Sequence, residues 1–385
     1  MKKTTFVLCG LLLGTSSAQA ASLDFAMGKA LFDRPWTSAP ASTQATDGLG
    51  PLFNARSCVA CHPKGGRGKI TVSNDGKIGG LGYVLRLGNE KGEADPIYGR
   101  QLQTNAIHGQ KAEARVYLDD NYYRIEDLAY GEMSPETNYA GRLSQPLFGL
   151  GLLEDVSDET ILAQADPEDK NNDGISGRPN MINGQLGRFA WKATAPTLRI
   201  QAANAFSNDI GMSTPIHRHH FGDCTAKQPE CQKGPHGDSV QFENLEIDSK
   251  MLNLVALYLK RLKAPTPQVQ ETLPLFKDVG CASCHTPELT TKSGKKVAAY
   301  SDLLLHDMGD GLADGIAEGQ ASGREWRTQP LWGTSNTKRF LHDGRATSVE
   351  EAINWHGGEA QRAKENFLKL SASDKHRLIS FLNSL

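Results

Sequence analysis

The sequence predicts a mainly α-helical fold divided into two domains, and three observations support this prediction. The pentapeptide Cys58-Val-Ala-Cys61-His62 recurs as Cys281-Ala-Ser-Cys284-His285 in a chain that has only seven cysteines. The segment from Ile247 to Lys263 carries apolar residues at the one-face spacing of an amphipathic helix. It ends just before Pro265 and Pro267, which are poor continuations of a helix and which we take as the domain boundary.

The repeated pentapeptide indicates covalently attached haem. In a Cys-x-x-Cys-His run the two thiols add to the haem vinyl groups, and the adjacent histidine binds the iron from one side. A redox disulfide or a four-thiolate zinc site is the alternative, but neither needs the histidine that directly follows both cysteine pairs. We therefore expect two haem c groups in two cytochrome c-like domains, held by Cys58, Cys61, His62, Cys281, Cys284 and His285.

The two predicted domains differ in size. We expect the first haem domain to span residues 21–265 and the second to span residues 266–385. Glycine is dense from Pro63 to Gly99, which predicts long loops in the first domain and a small hairpin around Ile78 to Leu87. The chain closes with a predicted helix from Ser373 to Leu385.

Residues 1–20 have the pattern of a secretory signal. Two lysines precede an apolar run from Phe6 to Leu13, and Ala18-Gln-Ala20 offers small residues at a cleavage site. The run is too short to span a bilayer, so we expect no membrane span and a periplasmic location. The formal net charge of −2 gives no basis for binding nucleic acid.

The two cysteines outside the haem motifs and the apolar run are Cys224 and Cys231, which lie in a polar loop. An exported compartment is oxidising, which favours a disulfide between them. A free or metal-binding pair is the alternative, because His217, His219 and His220 lie close by in the sequence.

Asp169, Asn171 and Asp173 stand at alternate positions before Gly174, like the first half of a calcium loop. The glutamate expected at the end of such a loop is replaced by Asn180. Calcium is therefore one reading of this segment, and an Asx-rich turn is the other.

Several segments carry a resemblance to known enzymes. The stretches Arg327 to Gly333, Phe340 to Arg345 and Val349 to Ile353 resemble the second haem domain of bacterial di-haem cytochrome c peroxidases and of the di-haem enzyme that matures methylamine dehydrogenase. Over nearly the whole mature chain the sequence resembles the di-haem oxidoreductase family, described as peroxidases and formerly as thiol oxidoreductases. Further matching segments are Gly48 to Asn54, Asp173 to Arg178, Leu186 to Lys192 and Trp355 to Glu359.

The resemblance implies a sixth ligand for the second haem iron. The position that carries this ligand in the related enzymes is occupied here by His356. We therefore expect His285 and His356 to be the two ligands of that iron. Met308 is the alternative, although the stretch around it provides no ligand in the related enzymes.

The resemblance also implies roles for residues of the first domain. Trp191 matches the tryptophan that relays electrons between the haems, with core packing as its alternative role, and Gln201 matches a glutamine on the open face of the first haem. The position of the catalytic glutamate is Gly211 in this chain. Asp209 is our candidate for its replacement, because acid–base catalysis requires a carboxyl group within reach of the substrate. Glu154 and Glu132 are further candidates for this role.

We expect a peroxidase-like oxidoreductase. Electrons from a periplasmic donor protein would enter at the second haem, and a small oxidant such as hydrogen peroxide would react at the first. Two other functions stay open at this stage. One is an electron-transfer cytochrome, in which one of the histidines at 217–220 is the sixth ligand of the first haem iron. The other is an enzyme that oxidises a partner protein with high-valent haems.

Overall fold

The computed structural model describes residues 13–79, 82–119, 122–266 and 273–385. The start of the predicted signal segment and Pro267, the second boundary proline, lie outside these residues. The domain boundary itself stays a prediction. Within the described residues, no helix is both long and apolar enough to cross a membrane.

The helices are mostly short and are separated by long connections. In chain order, the α-helices of the described residues are α1 (Leu13–Asp33), α2 (Cys58–Cys61), α3 (Leu150–Asp155), α4 (Asp158–Leu162), α5 (Leu198–Ile210), α6 (Pro229–Gln232), α7 (Ser249–Lys260), α8 (Pro274–Asp278), α9 (Val349–Trp355), α10 (Gln361–Lys369) and α11 (Ala372–Leu382).

The strands are shorter still and form small antiparallel sheets. They are β1 (Leu52–Phe53), β2 (Thr71–Val72), β3 (Ile78–Gly79), β4 (Tyr83–Gly88), β5 (Gln101–Leu102), β6 (Asn105–Ala106), β7 (Arg115–Asp119), β8 (Tyr122–Glu126), β9 (Asn138–Leu143), β10 (Met181–Ile182), β11 (Gln185–Leu186), β12 (Leu289–Thr290), β13 (Lys296–Val297), β14 (Leu305–Asp307) and β15 (Glu325–Arg327).

The prediction of a mainly α-helical fold needs correction, because helices make up 30% of the chain and strands 16%. The predicted hairpin is wrong as well. β3 pairs with β2, whereas β4 lies at the centre of a three-stranded sheet between β5 and β9. The partner of β4 over its whole length is β9, where Tyr83 faces Leu143 and Gly88 faces Asn138. Pairing across so many residues leaves no local signal in the sequence.

The larger apolar core forms where α1, α3 and α5 pack against α7. The side chain of Asp248 caps the start of α7 by accepting a hydrogen bond from the backbone N–H of Met251 at 2.7 Å. α7 then buries Leu252, Val255 and Leu259 on one face, as its apolar spacing predicts. This packing places α5 along the cavity described below.

A second apolar cluster lies in the C-terminal part of the chain. Phe276 of α8 packs against Tyr300 and against Phe381 of α11, and Phe367 of α10 belongs to the same cluster. The helix predicted at the C-terminus is therefore present as α11. Cys224 and Cys231 form the predicted disulfide and are buried beside Leu52.

Candidate active site

Both Cys-x-x-Cys-His motifs face one continuous cavity of about 770 Å³. The first motif forms α2 and the turn after it, and the second follows α8. His62, His285 and His356 all line this cavity, as do Trp191, Gln201 and Asp209. The structure thus brings together the residues that the sequence analysis selected for haem binding and for catalysis.

The histidines of the two motifs are held in the same way. The Nδ1–H of His62 donates to the carbonyl oxygen of Gln145 at 2.9 Å, and that of His285 donates to the carbonyl oxygen of Tyr300 at 2.9 Å. Burial lowers the pKa of each imidazole to about 4. Each ring is therefore neutral at pH 7, and its Nε2 lone pair is available to bind a metal.

His356 follows α9 directly and is oriented by the same kind of contact. Its Nδ1–H donates to the carbonyl oxygen of Ala352 at 2.8 Å. Burial lowers its pKa, and His356 lines the same cavity as His285.

The cavity fits a carboxylate-bearing cofactor such as haem. Three of the residues that line it each carry a buried side-chain atom with no hydrogen-bond partner among the described residues: Arg67 Nε, Arg142 Nη1 and Gln201 Oε1. Buried polar atoms are almost always paired in a folded protein, so these three indicate partners that a bound group supplies. The two arginine donors match carboxylate groups.

One face of α5 lines the cavity. Gln201, Asn204, Asn208 and Asp209 are spaced so that they share this face. The side chain of Thr197 caps the start of the helix by accepting from the N–H of Ile200. The helix thus presents three amides and one carboxyl group to the cavity.

Asp209 has the properties of a proton-transfer group. Its side chain accepts a hydrogen bond from Gln101 Nε2 at 2.7 Å. Burial raises the pKa of its carboxyl, which favours the protonated form that a proton donor needs. The other two candidates for the proton-transfer carboxyl group, Glu132 and Glu154, lie away from this face of α5. Glu132 is exposed, and Glu154 accepts a hydrogen bond from the backbone N–H of Leu198 at the start of α5.

The structure explains why a glutamate is missing at position 211. Gly211 ends α5 in the left-handed conformation, with φ of +77°. A Cβ atom there would lie 2.7 Å from the carbonyl oxygen of Leu52 and 2.9 Å from the Cα of Gly50. No side chain fits at this position, so a carboxyl group facing the cavity must come from another residue.

Comparison with known proteins identifies the family. The sequence profile of the family described as "Di-haem oxidoreductase, putative peroxidase" matches residues 15–80 and 132–385. The chain belongs to this di-haem oxidoreductase family. It is an oxidoreductase enzyme of a family that uses two haems. No curated protein sequence matches this di-haem oxidoreductase.

Solved structures show distant similarity to the di-haem oxidoreductase. The diheme peroxidase BthA from Burkholderia thailandensis is 12% identical, with a TM-score of 0.40, and the match covers 94% of this chain and 86% of that chain. A single-residue variant of BthA has the same identity and TM-score, with 85% of its chain covered. Hydrazine synthase from Kuenenia stuttgartiensis is 15% identical, with a TM-score of 0.25, and the match covers 52% of this chain and 78% of that chain.

Trp191 of the di-haem oxidoreductase belongs to an aromatic cluster that sequence reasoning missed. Trp326 stacks on His342 with ring centroids 3.9 Å apart, and Trp191 meets both rings edge-on at 6.4 Å. Trp191 also donates from Nε1 to the carbonyl oxygen of Leu143 at 2.9 Å. All three rings line the cavity. Trp326 directly precedes Arg327, the first residue of a segment that matches the related enzymes. This adjacency was the signal in the sequence that could have identified it.

Cations surround this aromatic cluster. The guanidinium of Arg142 and the ammonium of Lys192 each lie 4.4 Å from the ring centroid of Trp326. Lys192 pairs with Asp314 at 3.1 Å, and Arg142 pairs with Asp314 at 2.5 Å and with Glu318 at 3.1 Å. Burial opposes the negative charge of Glu318, but the nearby arginines lower the pKa of its carboxyl to about 2. The buried charges therefore balance one another.

His306 of the di-haem oxidoreductase has both ring nitrogens engaged. Nε2 bonds to Asp302 Oδ2 at 2.8 Å and Nδ1 to Glu359 Oε2 at 2.7 Å. Although burial opposes its charge, the sulfur of Cys284 and the carboxylate of Asp302 raise its pKa well above the usual value. His306 thus lies between two carboxylates, and its Nδ1 is also 3.6 Å from the sulfur of Cys284. Met308 lines the cavity and stays the alternative ligand.

The predicted calcium residues form a hydrogen-bonded turn. Asp169 and Asn171 each accept from the backbone N–H of Asp173, at 3.0 and 2.9 Å, and Asp173 accepts from the N–H of Ile175 at 2.9 Å. These contacts match the Asx-rich turn that was the alternative reading. Calcium binding at this turn stays a prediction.

Proposed function

We propose that this protein is a periplasmic, peroxidase-like di-haem c oxidoreductase. The observation that carries the proposal is the single cavity into which both Cys-x-x-Cys-His motifs and His356 project. Each of their three imidazoles donates Nδ1–H to a backbone carbonyl, which leaves Nε2 to bind iron. The signal-like segment and the disulfide between Cys224 and Cys231 support export to an oxidising compartment.

In this proposal the cysteines of each motif form the thioether bonds. Burial raises the pKa of Cys58, Cys61 and Cys281 to about 12, so these side chains are thiols rather than thiolates at neutral pH. His62 binds the first iron, and His285 and His356 bind the second. Arg67 and Arg142 offer their unpaired donors to haem carboxylates.

When bound, the haem irons supply the redox chemistry, one reacting with a small oxidant such as hydrogen peroxide and the other passing electrons from a periplasmic donor protein. The residues of α5 act around that oxidant. Gln201 lines the cavity, and its carbonyl oxygen, Oε1, has no partner among the described residues, so in this proposal it accepts a hydrogen bond from a peroxide hydroxyl. Asp209 then delivers a proton from its carboxyl group. Trp191 lies on the electron path between the two sites.

A second candidate function is electron transfer without peroxide chemistry, which requires a strong sixth ligand on the first iron. The candidate histidine His217 contacts α5, but its Nε2 already bonds to Asn204 Oδ1 at 2.7 Å. This contact favours the peroxidase over the carrier. Oxidation of a partner protein is a third function, and no residue pattern in the described part of the chain identifies a partner.

Spectroscopic titration tests the proposal. The purified protein, loaded with both haems, is mixed with hydrogen peroxide in its oxidised and half-reduced forms while its absorption spectrum is recorded. We expect a high-spin haem and a spectral change that saturates with peroxide. Two low-spin haems and no response to peroxide would contradict the proposal and support the electron carrier.

A further inference from the structure

The segment that contains His356 is interlocked with the segment that contains His306. Gly358 has a φ of +54°, and a Cβ atom there would lie 2.2 Å from the carbonyl oxygen of Asp307. A Cβ atom at Gly309 would lie 2.8 Å from the backbone nitrogen of Gly358. Both positions therefore require glycine, and the two backbones touch without side chains between them.

The side chain of Glu359 adds hydrogen bonds to this backbone contact. Oε2 accepts from the backbone N–H of Ser176 at 3.0 Å and bonds to Nδ1 of His306 at 2.7 Å. Oε1 accepts from the hydroxyl of Ser176 at 2.6 Å and from the backbone N–H of Asp307 at 3.1 Å. One carboxylate thus ties together three segments that are far apart in the sequence.

The hydrogen bond between Glu359 and His306 is largely shielded from solvent. His306 has only 2% of its surface exposed, the side chain of Glu359 has 12%, and Asp302 holds the other nitrogen of His306. Removing the Glu359 side chain would leave polar groups of Ser176, His306 and Asp307 without this partner, which costs free energy where such groups are buried. The contact is therefore a rigid anchor.

The anchor lies three residues after His356. On the other side, α9 ends at Trp355, and the Nδ1 contact with Ala352 fixes the ring to that helix. Between the helix and the anchor stand only His356, Gly357 and Gly358. Two glycines have little conformational preference of their own, so the position of this segment depends on its two ends.

We propose that Glu359 is a positioning residue that fixes His356 in place for the second iron, and that Ser176 joins this anchor to the turn formed by residues 169–174. The inference rests on the proposed role of His356 as a haem ligand. In this inference the segment around His306 supports the segment that contains His356. It also explains the Gly-Gly-Glu sequence after His356, since the glycines permit the backbone contact that Glu359 secures.

Binding of an external ligand tests the inference. The reduced, haem-loaded protein is exposed to carbon monoxide, which can occupy the second iron only when His356 leaves it. We expect E359A to bind carbon monoxide at the second haem several-fold faster than the natural protein. E359Q keeps the size of the side chain and two of its acceptor contacts, so it should fall between the two, and S176A should shift the rate in the same direction by less.

Two controls complete the experiment. E350A removes an exposed glutamate from the first turn of α9 and should leave the rate unchanged. Adding E359A to H356A should have no further effect on carbon monoxide binding, because the ligand that Glu359 positions is already gone. A merely structural role would change the rate in both backgrounds.

The outcomes separate the inference from the proposal beneath it. If H356A leaves the low-spin spectrum of the second haem unchanged, His356 is not the ligand and the proposed assignment fails. If H356A changes that spectrum while E359Q, S176A and E359A all bind carbon monoxide at the natural rate, only the positioning role is overturned. Where E359A fails to fold, E359Q and S176A decide the result.

Discussion

Asp209 is the residue that we propose for proton transfer, because Gly211 has no room for a side chain. It lies on the cavity face of α5, hydrogen-bonded to Gln101, and burial raises the pKa of its carboxyl. We predict that D209N lowers kcat for peroxide reduction by about 10²-fold or more, the usual contribution of a general acid–base group. Stopped-flow kinetics of the haem-loaded protein measures this. D127N, on the exposed surface, serves as the control, and an unchanged kcat in D209N would exclude the proton-transfer role.

Glu113 is a second buried carboxyl, and its effect is on stability. Burial raises its pKa to about 8, although Gln103 and Gln228 donate hydrogen bonds to it. Because the folded pKa lies above the ordinary value, this group contributes stability that is complete below the ordinary carboxyl pKa. That stability is lost as the pH rises through about 8.

We predict that E113Q removes this pH dependence. The measurement is the free energy of unfolding in denaturant between pH 5 and 9, for the natural protein and for the variant. The natural protein should lose more stability than E113Q as the pH rises. E168Q replaces an exposed glutamate and should behave like the natural protein. Parallel curves for E113Q and the natural protein would contradict the assigned pKa.

At the scale of elements, the C-terminus of α5 depends on a close backbone approach. Gly211 combines a positive φ with contacts to Leu52 and Gly50 that exclude a Cβ atom, whereas Gly184 has the same φ of +77° and nothing within 4 Å. The two glycines therefore separate backbone strain from steric overlap.

We predict that G211A lowers the free energy of unfolding clearly more than G184A does. G184A carries only the strain of a positive φ, which is about 1 kcal/mol or a little more. G211A carries this strain and also the displacement of β1 against α5. Thermal or denaturant unfolding of both variants provides the comparison. Equal losses would mean that the approach of β1 to the end of α5 is not tightly constrained.

Local sequence patterns predicted those elements that depend on local interactions. The apolar spacing from Ile247 to Lys263 predicted α7, and the prediction for the C-terminus matched α11. The partner of β4 was predicted wrongly, because β4 pairs with β9, which lies far along the sequence. The mainly helical fold was predicted from the haem motifs, and less of the chain around these motifs is helical than we expected.

The candidate site shows the same difference between residues that local motifs identify and residues that depend on contacts between distant segments. Residues inside recognisable motifs, such as His62, His285 and His356, were selected from the sequence and line the cavity. Glu359 was quoted only as the end of a matching segment, and its contacts with Ser176 and His306 come from segments far apart. Trp326 was not selected, because an isolated tryptophan in the sequence is usually a core residue.

At the scale of the whole molecule, the aromatic cluster connects the walls of the cavity around both motifs. Trp191, Trp326 and His342 lie in ring contact and line the cavity that both motifs face, and we propose them as the path of an electron between the two haem sites. The two cations that lie 4.4 Å from the Trp326 ring centroid are paired with Asp314 and Glu318.

We predict that W326F slows electron transfer between the two haems several-fold, as W191F does, while leaving both haem potentials nearly unchanged. Phenylalanine keeps an aromatic ring in the stack but is smaller and harder to oxidise. Flash photolysis of the half-reduced, haem-loaded protein measures the transfer rate, and a redox titration measures the potentials. W36F is the matched control, because Trp36 is equally buried but packs on Phe206 in the larger core. A natural rate in W326F together with a slow rate in W191F would place the whole path on Trp191 alone, and natural rates in both would place it outside the cluster.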